Sequence, residues 1–330
     1  MATKRITQET FDAVVKENMD DFEMDAEEAV ADAVQQFESQ GVNLMNIIKQ
    51  VSQTTSDGQQ QSSSRHPILL ILKNIDDILN NNNQSHSQDQ NLLKECQLFQ
   101  DQCSQGPEYR IVAADNKAYT KMLKVCQRMD GNASNLSIAL QTLAALLDGQ
   151  PDLVDNVGIQ FIMDTLKKYS DDALIQQSTI NVIRLACIMH ESNRQKFVGC
   201  DLIEQLILVL RHFKTQIAVI KEACSTLRVL TLDDDIRVPF GKGHEHAKMI
   251  ASQCNGLELL IDIIKLHYQD TTIYSEICAT IGKLAVRNEY CQEVVDLGGL
   301  TLVTKALAER MDEPVSNSNG VLTMAIISLP

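Results

Sequence analysis

The feature that most constrains this chain is a repeat. Four segments rich in Leu, Ile and Ala, namely SIALQTLAALL, STINVIRLACI, EACSTLRVLTL and EICATIGKLAV, place their central apolar residues at Leu143, Ile183, Leu227 and Ile281. The intervals are 40, 44 and 54 residues. Out of phase with them runs a second set, Gly158-Ile-Gln-Phe-Ile, Asp201-Leu-Ile-Glu-Gln-Leu, Gly256-Leu-Glu-Leu-Leu and Gly299-Leu-Thr-Leu-Val. Its intervals are 43, 55 and 43, so both anchors stretch at one place, where about a dozen residues are inserted. Apolar residues at three- and four-residue spacing form a helical stripe, yet a unit near 42 residues has no room to bury its stripes alone. Stacked copies merge the stripes into one core and leave a long concave surface, the logic of helical solenoids. Glycine ahead of a helix is expected to let the backbone turn sharply, and Asp148-Gly-Gln-Pro151 is a stop-and-restart signal of the same kind.

Composition narrows the reading. Aromatic residues make up 4% of the 330 residues and Trp is absent, so the core must come from aliphatic residues and Met, which suits helices better than sheet. The formal charge of −15 opposes nucleic-acid binding, which draws its affinity from Lys and Arg. No apolar run reaches bilayer-spanning length, and MATKRITQETFD lacks the apolar stretch of a signal peptide, so no membrane role is expected. Nine cysteines without paired spacing suit reduced thiols, hence a cytoplasmic protein with nuclear presence open.

Residues 1–90 read as acidic helices joined by Gln/Ser/Asn-rich, partly disordered linkers. Residues 1–66 hold five Lys and Arg against twelve Asp and Glu, a local charge of −7. Asp25-Ala-Glu-Glu28 resembles a capping box opening a helix with Val30, Val34 and Phe37 on one stripe, ended by Gly41. Leu44, Ile47 and Ile48 begin another amphipathic piece, and a helix follows Pro67. The Gln/Ser-rich stretch from Gln50 to Arg65 has too little apolar surface to offset its ordering entropy. This arm is either solvated or folds onto a partner or the solenoid.

The order short helix, Gly, helix, helix, best formed in RNEYCQEVVDLGGLTLVTKAL (287–307), resembles the armadillo-repeat family. The blocks KRITQETFDAVVKEN, AVQQFESQGVNL, DGQPDLVD, LDDDIRVPFG, HAKMI and EVVDLGGL resemble one branch of that family from residue 4 to about 307. The resemblance implies an all-α, right-handed superhelical armadillo (ARM/HEAT-like) solenoid over residues 91–310. It would hold about five repeats, the last incomplete, with an irregular tail at 311–330. It also implies a cytosolic protein without known catalytic activity, while the expectation that it holds other proteins comes from the concave groove. Because the family continues into further repeats, the chain reads as C-terminally shortened. Val321, Leu322, Ile326, Ile327 and Leu329 would then either fold back over the exposed end or remain as an aggregation-prone end.

In armadillo receptors of the importin type, a Trp and an Asn four residues on line the groove in each third helix. The matching positions here are Gln141 and Ala145, Asn181 and Leu185, Ser225 and Val229, and Ala279 and Lys283, so that ladder is missing and an importin-like transport receptor is disfavoured. What the mapping offers instead is a basic stripe. Arg184 and Arg228 are equivalent, Lys283 is one residue off, and Asn181, Ser225 and Gln141 share their face. Such a stripe suits an acidic or phosphorylated protein segment. The alternative is that these residues are solvated or pair with the protein's own acids.

The insertion carries Lys242-Gly-His244-Glu-His246, placed between the first and second helices of the fourth repeat. A His-x-His pair is thin support for a metal-dependent enzyme, which needs three or four converging ligands. A surface loop that packs the solenoid and touches a partner is the better reading. Asp233, Asp234 and Asp235 are expected to cap a short helix near Ile236. Cys187 and His190 stand at helical spacing, but Cys187 continues an apolar helix and reads as a buried thiol. There is no phosphate loop or nucleophile elbow, so no cofactor, small-molecule substrate or catalytic residue is expected.

Overall fold

The computed structural model describes residues 4–6, 8–44, 47, 49, 67–81, 85–285 and 288–309. The Gln/Ser-rich stretch, Ile48 and the 311–330 tail with its expected cover therefore lie outside the described residues. Contacts divide the chain into one unit over residues 1–129 and another over residues 130–330.

In the first unit, β1 (Lys4–Arg5) is followed by α1 (Gln8–Asp21), α2 (Ala26–Ser39) and β2 (Val42–Asn43), with β1 and β2 paired in parallel. Asp25 caps α2, its carboxylate accepting from the Glu27 and Glu28 amides at 3.0 and 2.9 Å. Gly41, at φ +72°, ends the helix in the left-handed region, where a side chain is strained. The buried stripe of α2 is Ala29, Ala33 and Phe37, with Val30 and Val34 only half-buried. The buried face is thus shifted by one residue from the expected stripe at its first two positions, while Phe37 is shared. Leu44 and Ile47, which follow β2, join this core with Phe11 and Val15.

Further along lie α3 (Pro67–Asn80), α4 (His86–Cys103), α5 (Pro107–Asp115) and α6 (Ala118–Met129). α3 packs against all three, burying Ile68, Ile71, Leu72 and Ile75. The expected domain boundary at residue 90 falls inside α4 and is corrected. The apolar stripe of α3 finds its cover in α4 to α6, so helices on both sides of residue 90 share one core.

The second unit holds α7 (Ala133–Leu147), α8 (Asn156–Lys168), α9 (Ala173–Cys187), α10 (Glu191–Val198), α11 (Leu202–His212), α12 (Ile217–Leu230), α13 (Gly243–Lys248, extended by a π-helical turn over Met249–Gln253), α14 (Gly256–Leu266), α15 (Thr271–Leu284), α16 (Asn288–Asp296) and α17 (Gly299–Glu309). The long third helices α7, α9, α12 and α15 pack in series. Leu143, Ile183, Leu227 and Ile281 sit at their centres, essentially without exposure. Each such side chain contributes about 1.5–3 kcal/mol relative to exposure, so the repeat's periodicity is also its main source of stability. Asp155, Asp172 and Asp270 cap α8, α9 and α15 through their carboxylates.

Two expectations change here. Asp201, Asn255 and Gly298 are the residues at positive φ before α11, α14 and α17, so the sharp turn falls one residue ahead of Gly256 and Gly299. Those two glycines serve close approach instead. A Cβ on Gly256 would lie 2.5 Å from the Ile250 carbonyl oxygen, and one on Gly299 2.6 Å from a Val294 methyl. The inserted loop, in turn, lies at 231–242 ahead of α13, and His244 and His246 belong to α13, the first helix of the repeat, and do not follow it.

Candidate functional site

On each third helix the apolar stripe is buried and leaves one line of side chains toward solvent. Gln141 on α7, Asn181 and Arg184 on α9, Ser225 and Arg228 on α12, and Lys283 on α15 all lie on it, half-buried or exposed. Of the other mapped positions Ala145, Leu185 and Ala279 are half-buried, and Val229 is buried.

The line is not a free basic stripe. Arg184 Nε donates to Glu222 Oε1 on α12 at 2.5 Å, and its Nη2 donates to Asn181 Oδ1 at 2.8 Å. Arg228 Nη2 donates to Glu276 Oε2 on α15 at 2.6 Å and to Ser225 Oγ at 3.0 Å. Its Nη1 donates to the Glu276 carbonyl oxygen and to Thr280 Oγ1. One step earlier, the Ser137 and Ser178 hydroxyls bond at 2.8 Å and Gln141 donates to Ser137. These contacts tie consecutive third helices, first through neutral groups and then through charge. The stripe expected to await an acidic ligand already has carboxylates on both guanidiniums, while Lys283 has no ion-pair partner among the described residues. Glu222 and Glu276 went unread, although they open the aligned segments EACSTLRVLTL and EICATIGKLAV at the same position as Ser178.

A second constellation surrounds the insertion. Arg194 on α10 is fully buried and donates to Glu191 Oε2 at 2.8 Å and to Asp234 Oδ1 at 2.5 Å. Burial by itself pushes the Glu191 carboxyl up. Hydrogen bonds from Gln195, the Lys242 amide and Arg194 outweigh it and hold Glu191 below the usual carboxylate range. Asp235 accepts from the Arg237 guanidinium and the Glu191 amide, which hold its carboxyl far below that range. Arg237 also reaches Asp152 Oδ1 at 2.6 Å and the Met189 carbonyl oxygen at 3.1 Å. The three aspartates therefore do not cap a helix at Ile236, where the chain only turns. Asp235 satisfies the first amide of α10 and Asp234 the Met189 amide just before it, and the insertion is fastened to the preceding repeat.

His246 is buried with Nδ1 2.9 Å from the Leu230 carbonyl oxygen, while His244 is exposed. Two residues apart on a helix they point to different sides, so the pair expected for a metal site does not converge. Among the described residues no group of three His, Cys, Asp or Glu is placed to hold an ion. Cys187 is fully buried and its thiol is pushed up by desolvation, which leaves it un-ionised and without nucleophilic character. Among the described residues no helix is long and apolar enough to cross a membrane.

Repeating sets of short, medium and long helices, with the long ones stacked in series and cross-tied, define an armadillo-repeat protein, a class whose stacked units serve as an interaction scaffold. Designed armadillo repeat proteins share this fold. One superposes with a TM-score of 0.62 at 15% identity, covering 80% of this chain and all of its own. Another, solved in complex with the peptide (KR)4, gives 0.60 at 17% identity over 78% of this chain and 99% of its own. Residues 71–329 match the family described as ARMC6, and residues 3–64 match the armadillo repeat-containing protein 6 N-terminal domain. The chain belongs to the armadillo repeat-containing protein 6 family. It is 42% identical over 322 residues to armadillo repeat-containing protein 6 of Homo sapiens, covering 97% of this chain and 63% of that protein. Its identity to the Drosophila melanogaster homolog is 33% over 316 residues, 94% of this chain and 65% of that protein. The chain thus spans just under two thirds of the length of these relatives.

Proposed function

We propose that this protein is a non-catalytic scaffold or adaptor that seats an extended segment of a partner protein along the solvent-facing line of α7, α9, α12 and α15. The observation that carries the reading is the register of that line. Gln141, Asn181, Arg184, Ser225 and Arg228 recur on successive third helices and are held by hydrogen bonds, so the face is ordered before a ligand arrives. A designed armadillo repeat protein of the same fold, solved in complex with the peptide (KR)4, supports a peptide ligand. Because Glu222 and Glu276 engage the guanidiniums, an acidic or phosphorylated segment would have to displace them. Polar recognition of an extended backbone suits the paired face better. All nine cysteines are free thiols, seven of them buried, which supports work in the reducing cytoplasm, with the nucleus equally permissive.

Proximity labelling in cells with the full chain tests the reading. Ala145→Glu with Ala279→Glu obstructs the line at two partly exposed positions, and Gln160→Glu on α8 is the control. The double variant is expected to lose neighbours that the control retains. An unchanged neighbour set with the double variant rules the third-helix face out.

A further inference from the structure

The insertion holds two large apolar side chains out in water. Ile236 is 94% exposed and Phe240 88%. A surface loop with no core of its own is normally mobile, so such side chains usually carry no information. This loop is fastened at several points. The Met189 and Glu191 amides donate to Asp234 and Asp235, the Lys242 amide donates to Glu191, and Arg237 bridges to Asp152. Buried Arg194 pairs with both Glu191 and Asp234 beneath it. The exposure is therefore built into the fold.

Ile236 also forms one wall of a cleft of about 390 Å³, whose other apolar walls are Pro151, Leu185, Ile188 and Met189. That volume accepts an aliphatic side chain and the backbone on either side of it. Charge around the cleft and loop is one-sided. The carboxylates of Asp148, Asp152, Glu191, Asp233, Asp234 and Asp235 outnumber the guanidiniums of Arg194 and Arg237, a formal local charge of −4 within a chain of −15. An acidic segment or a second copy of this chain is repelled by such a rim, and a cationic segment is attracted.

We propose that the cleft and the 236–240 loop together dock an extended segment of another protein that carries an aliphatic side chain flanked by Lys or Arg. The proposal rests on the scaffold reading but centres contact on the insertion, which meets the third-helix line only at Leu185.

The test uses the full chain and a fluorescein-labelled peptide, GKLRKLKG, with GELEELEG as its charge-reversed counterpart, read by fluorescence anisotropy. The cationic peptide is expected to bind and the acidic one not. Burying one Ile or Phe side chain is worth roughly tenfold or more in affinity. Ile236→Ser and Phe240→Ser should each weaken binding by about that factor. Leu208→Ser, at an exposed position on α11, should leave it unchanged. Melting curves matching wild type confirm that these solvent-facing changes spare the fold. The proposal is overturned if the cationic peptide fails to bind, if both peptides bind alike, or if Ile236→Ser binds as wild type does. It is overturned as well if light scattering shows a wild-type dimer that Ile236→Ser dissolves, which would assign the loop to self-association. The two readings fail separately. Peptide failure together with neighbour loss in the Ala145/Ala279 double variant removes the cleft and keeps the third-helix face, and the reverse pattern does the opposite.

Discussion

Arg194 keeps its guanidinium wholly inside the protein, between a carboxylate on its own helix and one from the insertion. Removing one member of such a pair strands the other charges, which costs more than the pair itself contributes. Arg194→Met is therefore expected to lower unfolding free energy by about 3–5 kcal/mol. A lower midpoint in urea denaturation, followed by circular dichroism, checks this, and an unshifted midpoint would contradict it. Half of this arrangement is visible in the sequence, since Glu191 and Arg194 are three apart and share a helix face. The other half is not, because Asp234 arrives from 40 residues on, through a loop whose path no local rule specifies.

Among the elements, the first and second helices of a repeat meet at their glycines. Gly256 is helical, and the left-handed residue is Asn255, at φ 53°. The spacing of Gly256 and Gly299 marked where second helices begin, but attributed the glycine to turning. What requires glycine is the Ile250 carbonyl oxygen, which leaves no room for a methyl group. A helix backbone cannot yield as a flexible side chain does, so Gly256→Ala is expected to destabilise by about 1–3 kcal/mol despite alanine's better helix propensity. Thermal melts of the two proteins decide the sign. If alanine raised the melting temperature, the glycine would be a propensity defect and not a packing requirement. The same distinction explains α2. Its helical period was legible, but that Ala29 and Ala33 and not Val30 and Val34 face inward shows only once α1 is packed against it.

For the molecule as a whole, the charge of −15 sets a field that acts on partners before contact. Association of the GKLRKLKG probe should accordingly slow as salt rises. A several-fold fall in on-rate is expected between about 50 and 300 mM NaCl, as the Debye length shrinks below the span of the acidic rim. Stopped-flow anisotropy measures it. A rate independent of salt would leave apolar contact alone to explain any binding.

The sequence by itself determined that the chain is a stack of helices, where each third helix lies and which residues form its solvent-facing line. Those properties follow from apolar period, caps and repeat spacing, which are local and recur in each copy. Only the tertiary structure decided what that line is chemically. Arg184 and Arg228 read as free cations until α12 and α15 bring up Glu222 and Glu276. His246 was placed on a surface loop by the sequence, and only its helix turned it into the core. In each case the deciding partner comes from a neighbouring repeat or across the insertion, and its distance is set by how the repeats stack.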